Sequence, residues 1–105
     1  MAYKVVQAQG TALTDLYTVP SDKQAVISTI SMCNYGTATA EASVFVRPAG
    51  ATKADIHTVA SGVALVPDDT VFITAGFALG TADVVSVQAD STAVTFHAYL
   101  NESDV

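Results

Sequence analysis

Few side chains in this 105-residue chain combine the types and spacing that chemistry requires. His57 and His97 fall in different predicted strands, and neither has a carboxylate at ligand spacing, so no zinc or other metal site is expected. His97 lies mid-strand beside Thr95 and Tyr99 and reads as a half-exposed strand residue. His57, in Asp55-Ile56-His57, reads as a surface or interface residue. Asp68-Asp69 offers adjacent carboxylates, but calcium takes about six to eight oxygens from alternating positions. A turn after Pro67, with Asp69 capping backbone amides, is the expected arrangement. Glu41 and Asp55 show no obvious glycosidase pairing. Cys33 is the single cysteine, so it forms no internal disulfide. It has no base or oxyanion pocket in view, and in a strand it reads as a small buried apolar residue. There is no Gly-rich phosphate loop, nucleophile elbow or basic-aromatic stripe. The sequence is read as non-enzymatic, with no catalytic residues, cofactor or metal.

What remains is adhesion. Tyr17 and Tyr35 flank turns, where a tyrosine anchors an interface or a glycan, or simply covers a rim. Tyr3 and Val5 stand in an apolar N-terminal stretch and are the other candidate interface residues.

The composition narrows the partners. Ten acidic side chains against four basic ones give a formal charge of −6, and the four cations, Lys4, Lys23, Arg47 and Lys53, are scattered. Nucleic-acid binding needs clustered Lys and Arg to displace counterions, so no nucleic-acid partner is expected, nor an anionic membrane. No apolar run approaches the roughly 18–20 residues of a spanning helix. The first ten residues lack a signal peptide's apolar stretch, which places synthesis in the cytosol. Half the residues are apolar and only 13% are charged, which excludes disorder. The apolar content is mostly Ala and Val, with no Trp. Either neighbouring subunits cover part of the surface, or small side chains fill a shallow sandwich.

Turn residues recur about every ten positions, the spacing of sandwiches and barrels. They include Gly10, Pro20-Ser21-Asp22, Asn34-Tyr35-Gly36, Pro48-Ala49-Gly50, Gly62, Pro67-Asp68-Asp69, Gly80-Thr81 and Asp90-Ser91. Between them lie eight predicted strands, at residues 3–8, 13–19, 24–34, 40–47, 55–60, 70–75, 83–89 and 92–100. The third has Val26, Ile30 and Met32 in one phase and Ala25, Ile27 and Cys33 in the other, which predicts a strand covered on both faces. The last has the cleanest alternation, with Val94, Phe96, Ala98 and Leu100 sharing a face. It is expected to form a hairpin with 83–89 across Asp90-Ser91. Val19-Pro20-Ser21-Asp22 and Val66-Pro67-Asp68-Asp69 hint at two similar corners. The expectation is one all-β domain over residues 1–105, an antiparallel β-sandwich of about eight strands with jelly-roll or immunoglobulin-like topology. The Cys…Trp…Cys core of antibody domains is absent. Residues 1–14 read as a possible N-terminal arm and 101–105 as a polar, mobile tail.

Four runs carry a resemblance: Leu16-Tyr17-Thr18-Val19-Pro20, Ala25-Val26-Ile27-Ser28-Thr29-Ile30, Cys33-Asn34-Tyr35-Gly36-Thr37 and Phe45-Val46-Arg47-Pro48-Ala49-Gly50. With 78–87 they resemble small virion structural proteins of tailed phages over most of residues 15–100. Thr81-Ala82-Asp83 departs from the family pattern, which sets a Gly beside the Asp. The resemblance implies a structural protein of the virus particle, located on the capsid surface. The leading form is a capsid decoration (cement) protein that binds the phage major capsid protein and itself as a homo-oligomer, with a trimer as the first expectation. The alternative is a tail, baseplate or fibre component that binds host-surface glycans. A monomeric carbohydrate-binding module is a third reading from a different class. The family hands over no catalytic or binding residues.

Overall fold

Strand alternation splits most of this chain into an apolar row and a polar row, and the apolar rows must be hidden from water. The computed structural model describes residues 2–9 and 11–105, the side chains of residues 2–4 and 75 excepted. Gly10 therefore lies outside the described residues. Eight strands follow in order: β1 (Ala2–Gln9), β2 (Thr14–Thr18), β3 (Lys23–Asn34), β4 (Ala40–Arg47), β5 (Thr58–Leu65), β6 (Asp69–Leu79), β7 (Val84–Ala89) and β8 (Val94–Asp104). Two short 3-10 turns, Pro48–Gly50 and Asp55–His57, lie between β4 and β5.

The strands form two antiparallel sheets, ordered β1-β8-β3-β6 and β2-β7-β4-β5. This is the strand order of a jelly roll, which decides between the two expected topologies. It also overturns the expected β7–β8 hairpin. Both strands bury a full apolar row, and the two rows meet across the core from opposite sheets. Val85 and Val87 of β7 and Phe96 of β8 share one core with Ile27, Ile30, Met32, Val44 and Leu65, all 1% exposed or less. Residues 90–93 carry the chain across the gap.

The apparent two-sided apolarity of β3 has a different cause. Ala25 and Ile27 point into the core, and so do Ile30 and Met32, because the phase switches at Ser28. Ile27 pairs with Leu100 and Phe77, and Ile30 pairs with Ala98 and Ile73. Between the same two core rows β8 advances two residues, β3 three and β6 four. Each added residue is a β-bulge. Gly76 supplies a left-handed φ of 66° in β6, and the Ser28 hydroxyl donates to the Tyr99 carbonyl at 3.0 Å. Val26 and Cys33 consequently face outward. Cys33 is a free, partly exposed thiol and not the buried residue expected. The strand covered on both faces is β7.

The chain ends are also more ordered in the fold than expected. Residues 2–9, read as part of an arm, pair with β8 from Ala2↔Glu102 to Gln9↔Thr95 and form an edge strand. Residues 101–104, read as a mobile tail, extend β8. Glu102 continues the inward row of that strand, Lys23 pairs with Asp104, and the Val105 amide donates to the Asp22 carbonyl at 3.1 Å. Of the predicted strand 55–60, the first three residues form a 3-10 turn, which leaves Ile56 90% exposed. Gly62, expected at a turn, sits inside β5 at φ 60°, where its amide donates to Ser43 Oγ. The two Val-Pro corners both carry a left-handed Asp, Asp22 and Asp68, offset by one residue. Ala82 adopts φ 71°, a left-handed conformation that glycine takes most easily.

Asn34 ties one end of the sandwich together. Its fully buried amide donates to the Ala38 and Leu65 carbonyls, both at 2.8 Å, and its Oδ1 accepts from the Gly36 amide at 2.9 Å. The side chain thus joins the end of β3 to the β3–β4 corner and to β5 of the other sheet. Replacing Asn34 with Ala leaves two carbonyls and one amide short of a partner. The expected loss is about 2–3 kcal/mol of folding stability, measured by urea denaturation.

Candidate functional site

The outward faces of the two sheets differ. Over one end of the second sheet the chain covers itself. Arg47 of β4 donates through Nε to Ser86 Oγ at 3.0 Å, pairs with Asp15 of β2, and reaches the Ala51 carbonyl at 2.9 Å. Ser86 Oγ donates to the same Asp15 carboxylate at 3.0 Å. The Ala49 amide donates to Asp83 Oδ1 at 2.8 Å, and Lys53 Nζ lies 4.7 Å from the Phe45 ring centroid. These contacts fold the 48–57 segment over the sheet, and Phe45 and Ser86 are buried beneath it, 5% and 0% exposed.

Over the first sheet nothing comparable folds back among the described residues. Register sets its outward side chains in rows across β1, β8, β3 and β6. One row is Gln7–His97–Ser31–Phe72, with Gln9–Thr95–Cys33–Thr70 on one side and Val5–Tyr99–Thr29–Thr74 on the other. Beyond the bulge, Asn101, Val26 and Ala78 continue the face. None of these positions is Asp, Glu, Lys or Arg. Among the described side chains of these strands, the charged ones stand elsewhere. Lys23 and Asp104 pair at one end, Asp69 begins β6, and Glu102 points inward. Four large apolar or aromatic side chains stand out of the face, one per strand: Val5, Tyr99, Val26 and Phe72, the last 64% exposed. Two open hollows interrupt it. One of about 540 Å³ lies along Gln24, Val26, Ala78 and Asn101, and one of about 270 Å³ lies along Gln7, Gln9, Thr95 and His97.

The candidate interface residues separate. Val5 is exposed on this face, opposite Tyr99. The backbone of Tyr3 pairs with Asn101, but its side chain lies outside the described residues. Tyr35 is exposed at the β3–β4 corner, at the end of the face, and accepts a hydrogen bond from Gln9 of its outermost row. It borders an end cleft lined by Thr37, Thr39, Asp90, Ser91 and Thr92. Tyr17 does not stand at the surface of the chain. The bulge in β2 between Asp15 and Tyr17 turns it inward, where it is 6% exposed and donates its phenolic proton to Glu102. His97 is half-buried in the middle row, and His57 Nδ1 accepts from the Ala54 amide at 3.0 Å. Phe72, Tyr99 and Val26 were not singled out from sequence. Tyr99 was legible, since it stands out of phase with the apolar row of β8. Val26 and Phe72 were not, because the bulges hide their phase.

Among the described residues, no three His, Cys, Asp or Glu side chains converge on a point where a metal ion could sit, and no helix is long and apolar enough to cross a membrane. The geometry defines a class: an all-β jelly-roll sandwich with one sheet covered at one end by its own chain and one open, uncharged sheet. No protein-family model matches the chain, and no curated protein matches it.

Burial and the proximity of Glu102 push the Tyr17 phenol well above its ordinary value of 10.0. In the unfolded chain this phenol ionises near pH 10, whereas the folded protein holds the proton. The stability this residue contributes is therefore present below pH 10 and lost as pH rises beyond it, by about 1.4 kcal/mol per pH unit. Denaturation curves between pH 9 and pH 11 should steepen toward this slope in the natural chain. The slope should be shallower in Tyr17→Phe, which itself is less stable at neutral pH.

Proposed function

We propose that this protein is a non-enzymatic structural component of a phage virion, a decoration protein that adheres to the shell of the major capsid protein and stabilises the head. The observation that carries the reading is the open outer face of β1-β8-β3-β6. It joins apolar projections to uncharged hydroxyl and amide groups on a rigid hydrogen-bonded support. Such a face suits protein contact, because no charge has to be stripped of water when it is covered. The resemblance to tailed-phage virion proteins over most of residues 15–100 supports the same reading. A molecule that binds only the assembled shell stabilises it by mass action, and repetition over many copies multiplies weak contacts.

A second reading is a tail, baseplate or fibre component that binds host-surface glycans. One feature favours it: the end cleft bordered by Tyr35 and lined with the hydroxyls of Thr37, Thr39, Ser91 and Thr92 and the Asp90 carboxylate. One experiment separates the two. Purified protein is incubated with phage shells that lack it, and with host cells. Co-sedimentation with shells and a higher shell disruption temperature are expected. Failure to bind expanded shells, with binding to host cells or tails instead, would sink the decoration reading.

A further inference from the structure

The outer face of the first sheet also carries information about what covers it. Resting on the reading of this face as adhesive, we propose that in the free protein, before any shell takes its place, the occupant is a second copy of this chain, packed sheet on sheet about a two-fold axis.

The first argument is charge. At a formal −6, two copies that meet through most of their surface bring like charges together. The open face is where they can meet without that cost, since its described side chains carry no charge. The second argument is self-complementarity. A two-fold interface sets a patch against itself. A carboxylate only accepts and an ammonium only donates, so neither satisfies its own kind. Gln, Asn, Ser and Thr carry both a donor and an acceptor, and these fill the rows between the apolar projections. The third is area. Four strands about 4.8 Å apart, of 8, 11, 12 and 11 residues at about 3.3 Å each, span roughly 670 Å². A stable interface of standard size buries about 800 Å² per partner.

The geometry indicates how the copies align. An axis that runs along the strands between β8 and β3 sets β6 of one copy over β1 of the other. Phe72 of each copy then stands over the other copy's hollow beside Gln7 and His97. The four projecting side chains interdigitate at the spacing of packed sheets.

The test uses the full chain. Sedimentation equilibrium from micromolar to millimolar concentration should show conversion from 10.8 kDa to twice that mass. Phe72→Glu should weaken pairing by roughly tenfold or more. Thr18→Glu, at an exposed position on the other sheet, should leave pairing unchanged. Phe72 is already exposed, so the substituted chain is expected to keep its fold, and circular dichroism and a melting curve check this. The reactivity of Cys33 with a thiol reagent gives a second readout. It should fall as the natural chain pairs, and stay constant with concentration in Phe72→Glu. The proposal is overturned if the natural chain stays monomeric throughout. It is also overturned if its oligomer is a trimer or larger, or is indifferent to Phe72→Glu. A monomer that still adds to capsid shells overturns the pairing alone. A pair that ignores shells leaves the pairing standing and removes the virion reading.

Discussion

Three neighbouring strands spend unequal numbers of residues on the same distance, and the first sheet depends on that mismatch. Where β8 advances from Ala98 to Leu100, β3 advances from Ile30 back to Ile27 and β6 from Ile73 to Phe77. The extra residues keep Ile27 and Ile30 on one side of β3, although they are three apart and strict alternation would oppose them. They also bend the sheet and open the hollow beside Val26 and Asn101. Without the bulges, either Ile27 or Ile30 would face water. The open face would then be a mixture of core residues and polar ones, with no uniform character.

The two sheets manage their outward sides by different means. In the second sheet, one cation organises the cover. Arg47 binds Asp15 and Ser86 on two other strands and a carbonyl of the segment that follows it, so the 48–57 connection is held down by the strand it leaves. Planar, multi-pronged donation makes Arg suited to this, where Lys would reach one partner at a time. The first sheet has no such anchor among its described side chains. Its outward rows mix uncharged polar groups with apolar projections, a composition inexpensive to cover.

At the ends of the sandwich, buried polar groups close what apolar groups cannot. Asn34 joins β3 to β5 at one end, and Tyr17 meets Glu102 at the other. Glu102 belongs to the strongest periodic signal in the sequence, the even row of β8, but it follows four apolar residues and reads as the start of a solvated tail. Its burial became visible only when Tyr17 was brought to it from 85 positions away. The same limit explains the hairpin between β7 and β8. Asp90-Ser91 is good turn chemistry, and local chemistry does not say whether the chain turns back within its sheet or crosses to the other one.

Residue types and spacing alone established the all-β class and the placement of β4, whose bounds at Ala40 and Arg47 the structure reproduces. They also established the inward row of β8 and the corners at Pro20, Asn34 and Pro67. These are local properties, set by alternation and by the backbone angles that Pro, Gly and Asp favour. The tertiary structure decided the jelly-roll strand order, the phase change in β3, the burial of Tyr17 and the uncharged character of one whole face. Each of those depends on which strands become neighbours. That choice is made by packing two apolar layers together over long sequence separations, which no window along the chain contains.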